Sequence, residues 1–386
     1  MKKFLTIILA AIAVSGCIYP FDLDESFYEG GLVVEGDILV GGVTHIKLST
    51  VQPLSGEAAG EIPQGVVWVE DENGREYRDA GQLPGSSFSI DMTDAPSNVR
   101  YRIRIRLSRP VQGSSSTDFR TDWLVVQKAP SIDSIEYDND GQNVNVRFSL
   151  SSPDGSGCFR WDYEEIWEFH AAVHTDIMYN YGKGTYSEYS KVMEFGNPYY
   201  WCWGYASSTQ AGIAIAKSTG GERLVDRPLL SIPRTSEKLQ QLYYVKIIAR
   251  DISEECYEYL HTIQVNSTST GSLTTPDPSQ IVGNIRSDSD STEVVLGYIE
   301  ACSVATKELF IDNKFYRQPP FTWETQTLPN DTAVLDFYYR NNFRPFEMNP
   351  GGGDNPTYNW GPQRCLDCVA AGGTKNKPDF WPTTHR

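Results

Sequence analysis

The plainest pattern in the chain is strict alternation. In residues 99–107, Val99, Tyr101, Ile103, Ile105 and Leu107 alternate with Arg100, Arg102, Arg104 and Arg106. A period of two describes a strand with one buried face, and it puts all four arginines on the other face. Shorter β-rich runs at 32–40, 43–49 and 66–70 precede it, with Gly41-Gly42 and Asn73-Gly74 as hairpin signals. Residues 32–128 therefore read as one β-sandwich, at a strand spacing usual for a unit of roughly 100 residues. Gln127-Lys128-Ala129-Pro130 marks a boundary. Beyond it, 132–137, 144–150 and 158–170 again read as strands, the last alternating Phe159, Trp161 and Tyr163 with Arg160, Asp162 and Glu164. Residues 242–249 read as a buried strand, and 294–299 and 308–311 as further strands. Only 252–264 has helical spacing, through Ile252, Cys256, Tyr259, Leu260 and Ile263, with Asp251 or Ser253 as cap.

The expected fold is mainly β, in tandem sandwiches. The first, 32–128, resembles transthyretin-like or immunoglobulin-like sandwiches through VVWVEDENGREY and YRIRIRL. The second, 129–340, is expected to be fibronectin-like, with the inserted helix 252–264 and an irregular aromatic insertion at 171–225. Residues 341–386 read as an irregular, disulfide-containing C-terminal segment rich in Cys and aromatics.

The start of the chain has a different character. Lys2 and Lys3 precede an apolar run at 4–14, too short to span a bilayer, and Val14-Ser15-Gly16 then leads into Cys17. A basic start, a short apolar core and small residues before a cleavage point describe an export signal. A cysteine at that point resembles the lipobox of bacterial lipoproteins, in which it is acylated. The expectation is a signal peptide over 1–16, an acylated tether over 17–31 and attachment to the outer membrane, on a face the sequence leaves open. Asp22, Asp24 and Glu25 resemble the surface-export signals of Bacteroidota lipoproteins, although a solvated linker explains them equally well.

Acidic residues outnumber basic ones by 50 to 33, which argues against nucleic-acid binding. Of seven cysteines, Cys17 is assigned to lipid. Cys158, Cys202, Cys256, Cys302, Cys365 and Cys368 remain, enough for three bridges in an exported protein, in a pairing that sequence cannot choose. Cys365 and Cys368 form a CxxC without a second cysteine pair for metal and without a thioredoxin-like context, so a structural bridge that pins the tail, directly or with distant partners, is preferred.

The chemical motifs are sparse. His170 and His174 have the HxxxH spacing of a shared zinc, but the segment before His170 reads as strand, which spoils that geometry. Glu164-Glu165 and Glu254-Glu255 are neighbours, and on a strand neighbours point to opposite faces, so neither doublet is an acid/base pair. No GxSxG elbow exists. No catalytic residue, metal site or cofactor is assigned. The arginine face could meet an anionic partner, but cross-strand pairing with Glu and Asp is the preferred reading. The insertion offers the best binding surface, through Tyr186, Tyr189, Tyr199, Tyr200, Trp201 and Trp203, which can stack on flat ligands or fill a core between domains.

Several phrases resemble a family of Bacteroidota lipoproteins known as domain of unknown function 4249. They are LVVEGDI (32–38), RWDYEEIWEF (160–169), ARDISEECYEYLHTIQ (249–264), PDPSQIVGNI (276–285), VVLGYIEACSV (294–304) and CLDCVAAGGTKNKPDFW (365–381). The resemblance brings no catalytic residues. It implies an outer-membrane lipoprotein, often encoded beside a TonB-dependent receptor barrel, and so a non-enzymatic accessory or ligand-binding partner of a nutrient transporter. A surface hydrolase on glycan or peptide, or a structural or adhesive protein, is the alternative.

Overall fold

A computed structural model describes residues 31–51, 62–79, 85–152, 156–193, 197–208, 214–219, 222–269, 283–318, 323–349 and 356–382. Cys17 and the segments 1–16 and 17–30 lie outside the described residues.

The first sandwich packs an antiparallel sheet of Leu32–Gly36, Val43–Thr50 and Ser87–Asp91 on a five-stranded sheet. The five run in the order Ile285–Ser287, Asp118–Thr121, Tyr101–Leu107, Gly65–Asp71, Glu76–Arg78. Alternation works as expected: Tyr101, Ile103, Ile105 and Leu107 are buried in the core with Phe88, Ile90 and Phe119. Gly74 makes its turn with φ +88°, a conformation natural to glycine, and joins two paired strands. Each arginine of the outer face meets a carboxylate: Arg100 Glu72, Arg102 Glu70, Arg104 Asp288 and Arg106 Asp118, at 2.6–3.1 Å.

One strand of this sheet comes from far along the chain. Residues 283–303, expected in the second unit, close the first. Ile285–Ser287 pairs with Asp118–Thr121, and Ala301–Cys302 runs parallel to Ile38–Leu39. Ile285, Val295, Ile299 and Ala301 are buried in the first core. Residues 294–299 are not a strand; Leu296 instead exchanges backbone hydrogen bonds with Leu32 and Val34. Gly297 at φ +125° is required there, since a Cβ would lie 2.0 Å from the Val34 carbonyl oxygen. Strands of two and three residues carry no legible period, so pairing to an open sheet edge, not local pattern, decides where this segment goes.

The second sandwich faces a sheet of Arg223–Pro233, Asn143–Ser151 and Ser131–Asn139 against one of Trp201–Ser207, Cys158–His170, Tyr243–Asp251 and Ala305–Ile311. Ile215–Lys217 adds a short fifth strand beside Cys158, Phe159 and Arg160, so three strands face five in an antiparallel sandwich of the fibronectin-like kind expected. Val144, Val146, Phe148 and Leu150 meet Phe159, Trp161, Tyr243, Val245 and Ile247 in its core. The inserted helix runs Glu254–Ser269, and Ser253 Oγ accepts the Cys256 amide at its start, as a cap should. The two sandwiches are pinned by charge: Asp37 of the first accepts from Arg160 (3.1 Å) and Arg250 (2.8 Å) of the second. Arg250 also pairs with Asp162. Burial works against the Arg250 charge, but these two carboxylates hold its pKa above the ordinary value.

A third, aromatic lobe joins the insertion to the C-terminal segment, both expected to be irregular. The hairpin Ile177–Asn180 and Thr185–Glu188 packs on a sheet of Gln326–Leu328, Thr357–Pro362 and Phe343–Asn349 and on the helix Thr332–Arg340. Tyr179, Leu328, Leu335 and Trp360 are its buried centre. Residues 326–340, expected in the second sandwich, therefore belong to the lobe. Cys202 and Cys368 are bridged across 166 residues. Cys158, Cys256, Cys302 and Cys365 are buried free thiols, so one of the three allowed bridges forms and the CxxC does not close on itself.

Candidate functional site

Where the insertion meets the C-terminal segment they enclose a recess of about 170 Å³. Tyr189 and Tyr199 supply one wall. Tyr189 opens a single helical turn, Tyr189–Val192, held by Asp176, whose carboxylate accepts the Ser190 amide at 2.7 Å and the Ser190 hydroxyl. Those bonds keep the Asp176 carboxyl below its usual range. Asn197 orders the next stretch, donating to the Thr175 carbonyl at 3.1 Å and accepting the Tyr199 amide at 2.9 Å. The rings of Tyr189 and Tyr199 meet edge-on, 6.4 Å apart. Burial, then the neighbouring Tyr199 and Tyr339, pushes the Tyr189 phenol up to about 12, so it stays neutral.

The opposite wall comes from residues that follow the helix Thr332–Arg340 or end it. The Arg344 guanidinium lies 3.8 Å above the Tyr339 ring. Its Nη1 donates to the carbonyls of Tyr339 (2.9 Å) and Phe343 (2.8 Å). Among the described residues no carboxylate stands within ion-pair distance of it, and burial holds its pKa below the ordinary arginine value. Asp367 also lines the recess, but its carboxylate is occupied by Gln363 Nε2 (2.8 Å) and by the amides of Val369 (2.9 Å) and Ala370 (3.2 Å). Tyr179 supports the floor, its hydroxyl donating to Asp336 at 2.7 Å.

Of the six aromatics singled out in the insertion, Tyr189 and Tyr199 line the recess. Tyr186 stacks on Tyr358 at 3.5 Å and faces a separate, more open groove with Met348 and Val192. Tyr200 and Trp201 pack against His170, at 4.9 and 5.2 Å, and Trp203 is buried with Trp381, Tyr244 and Ile166. These three pack where the second sandwich meets the C-terminal segment and do not line the recess. His170 and His174 both pack on Tyr200, and among the described residues no group of three or more His, Cys, Asp or Glu could hold a metal. Glu165 is buried and held by Lys238 Nζ (2.7 Å) and the Tyr243 hydroxyl (2.6 Å), while Glu164 faces out to Lys246. The doublet is split across the sheet, as strand geometry requires.

Sequence reasoning missed Arg344, Tyr339, Gln363 and Asp367. A signal was present: Phe337, Tyr338, Tyr339, Phe343 and Phe346 are as dense in aromatics as the insertion itself. The Asn-, Pro- and Gly-rich stretch around them suggested a tail instead.

Comparison with known proteins adds little about chemistry. No curated protein sequence matches the chain. A two-domain fibronectin type III segment of chicken tenascin is similar at 12% identity, covering 57% of this chain and 91% of its own, with a TM-score of 0.17. A Bacteroides uniformis protein provisionally described as carbohydrate binding is similar at 13% identity, covering 58% and 90%, with a TM-score of 0.14. Scores this low carry no argument, and the fold assignment rests on the strand order above. One family, described as a domain of unknown function (DUF4249), matches residues 18–308. The match takes in Tyr189 and Tyr199 and stops before Tyr339, Arg344 and the closing CxxC phrase. With most of its length so matched, the chain belongs to the DUF4249 family.

Proposed function

We propose that this protein is a non-enzymatic, lipid-anchored binding protein of the outer membrane, an accessory or ligand-binding partner of a TonB-dependent transporter, with the Tyr189–Arg344 recess as its ligand site. The recess carries the reading. Two segments far apart in sequence pack into one lobe, tied to the second sandwich by the Cys202–Cys368 bridge, and together they form a concave surface with aromatic walls and few, fixed polar groups, the usual make-up of a ligand site. Support for export comes from the basic start, the apolar run and Cys17, and from the Cys202–Cys368 bridge, since disulfides persist in oxidising compartments. A lipid and a short tether confine the lobe near a barrel, so a weak interface gains effective concentration. Hydrolysis of a glycan would call for two carboxylates across the cleft. Among the recess residues only Asp367 carries one, and it is already bound, which favours binding over catalysis.

The test is fractionation and pull-down of tagged protein at native level in mild detergent. The reading expects the wild type in the outer-membrane fraction with a stoichiometric barrel partner, and Cys17→Ala released from the membrane. A Cys17→Ala protein that stays firmly membrane-bound contradicts the anchor. A wild type recovered alone contradicts the transporter partnership.

A further inference from the structure

The unpaired arginine narrows the ligand class. Resting on the binding reading above, we infer that the recess takes the carboxylate of a sugar acid, the terminal uronate of an acidic glycan, on the free edge of Arg344. The two carbonyls fix Nη1, and the Tyr339 ring fixes the plane of the guanidinium. That leaves Nε and Nη2, which donate to no described atom. Together these two form the fork that matches a carboxylate side-on, with two parallel hydrogen bonds. Asp367 attracts the half-buried guanidinium from beyond ion-pair distance, but among the described residues no carboxylate pairs with it, so it has lost part of its hydration and an incoming carboxylate supplies the missing ion pair.

Charge selects a monoanion. The chain carries a formal net charge of −17, and Asp367 lies on the same recess. A phosphate or other dianion would meet that field with a single cation in its favour. Shape and hydrogen bonding select a sugar. The hydroxyls of Tyr189, Tyr199 and Tyr339 and the Gln363 Oε1 bond to no described atom, and these residues line the same recess as Arg344, as partners for ring hydroxyls. Tyrosine faces suit the apolar side of a pyranose. The recess, about 170 Å³, admits one ring-sized end group; a drug-sized ligand takes about 300 Å³ or more.

The experiment is calorimetric titration of the folded protein with D-galacturonate and D-glucuronate, each against its neutral parent sugar, with the Nε–H resonance of Arg344 followed by NMR. The acids are expected to bind at least tenfold more tightly than the neutral sugars and to shift that resonance. Arg344→Gln removes the preference at least tenfold, and Arg344→Lys, which keeps charge without the fork, falls between. Should Arg344→Gln fail to fold, the wild-type preference and the resonance decide. Neutral sugars bound equally well, with Arg344→Gln unaffected, overturn the carboxylate inference and leave the binding reading standing. A C-terminal dipeptide bound in preference to every sugar overturns the sugar class. No binding of any sugar at millimolar concentration overturns both this inference and the recess as the ligand site.

Discussion

Two of the settings in which arginine occurs in this protein stand in contrast, and the contrast separates scaffold from candidate site. On the first sandwich Arg100, Arg102, Arg104 and Arg106 stand in a row, and each meets a carboxylate, Arg104 sharing Asp288 with Arg120. Arg102 also lies 4.4 Å from the centre of the Trp123 ring, so even its apolar surface is used. The row is conspicuous in sequence and closed in structure. In the aromatic lobe Arg344 is a single residue in an aromatic-rich stretch, and it has carbonyls and a ring around it but, among the described residues, no carboxylate within ion-pair distance. Abundance of a charge is therefore a poor guide to function here; an unbalanced account of partners is a better one.

The contrast depends on the lobe being held together, and the largest effect should come from breaking that hold. Cys202→Ser opens a loop of 166 residues. Chain-entropy arithmetic assigns about 5 kcal/mol to a closure of that length. Denaturant melts should show the lobe unfolding ahead of the sandwiches, with a loss of that order; an unchanged midpoint would mean that the packing of Trp360 and Tyr179 suffices alone.

Next comes the arginine cluster between the sandwiches, which is paired and largely buried. Asp37→Ala leaves Arg160 and Arg250 without their shared carboxylate between the sandwiches. Removing one member of a buried pair costs about 3 kcal/mol. Restoration by Asp37→Glu, read in the same melts, would separate charge from packing.

A smaller effect has the opposite sign. Asp251 is buried, with Oδ1 unbonded and Oδ2 accepting from Ser152, and burial raises its pKa to about 6 against an ordinary 3.8. The folded state then binds more protons than the unfolded one between pH 3.8 and 6. The contribution of this group to stability is complete below pH 3.8 and lost as pH rises through 6. Asp251→Asn should therefore stabilise the protein at pH 7.5 by about 1–2 kcal/mol and flatten the pH profile across that window. A variant less stable than wild type at pH 7.5 would contradict a buried, ionised Asp251.

The smallest effect belongs to the conspicuous row. Arg106→Ala removes an exposed ion pair with Asp118 and should change stability by no more than about 0.5 kcal/mol.

Much of the scaffold was legible because its strands are long enough to alternate. Asn143–Ser151 buries every second residue, whereas its partner Arg223–Pro233 shows no such alternation and was not read as a strand. The site was half legible. Tyr189 and Tyr199 stood out within an aromatic run, but the same run supplied Tyr200, Trp201 and Trp203 to the packing of the second sandwich against the C-terminal segment. Sequence has no means of telling a ring that faces a cavity from one that fills a core. Arg344 and Tyr339 lie some 150 residues further on, and nothing local announces which distant surface they meet. The cysteines were legible in kind but not in pairing: a bridge pins the tail, as expected, and its distant partner, Cys202, could not be named from sequence. Segment 283–303 is the third case, since its strands are too short to carry a pattern and are placed by the sheet edge they complete.

The most direct test is hydrogen–deuterium exchange of the whole protein with and without an acidic glycan such as oligogalacturonate. The account predicts protection at 189–199, 339–344 and 363–367 and none along the strand Tyr101–Leu107. Protection along the arginine row, with the recess unchanged, would contradict it.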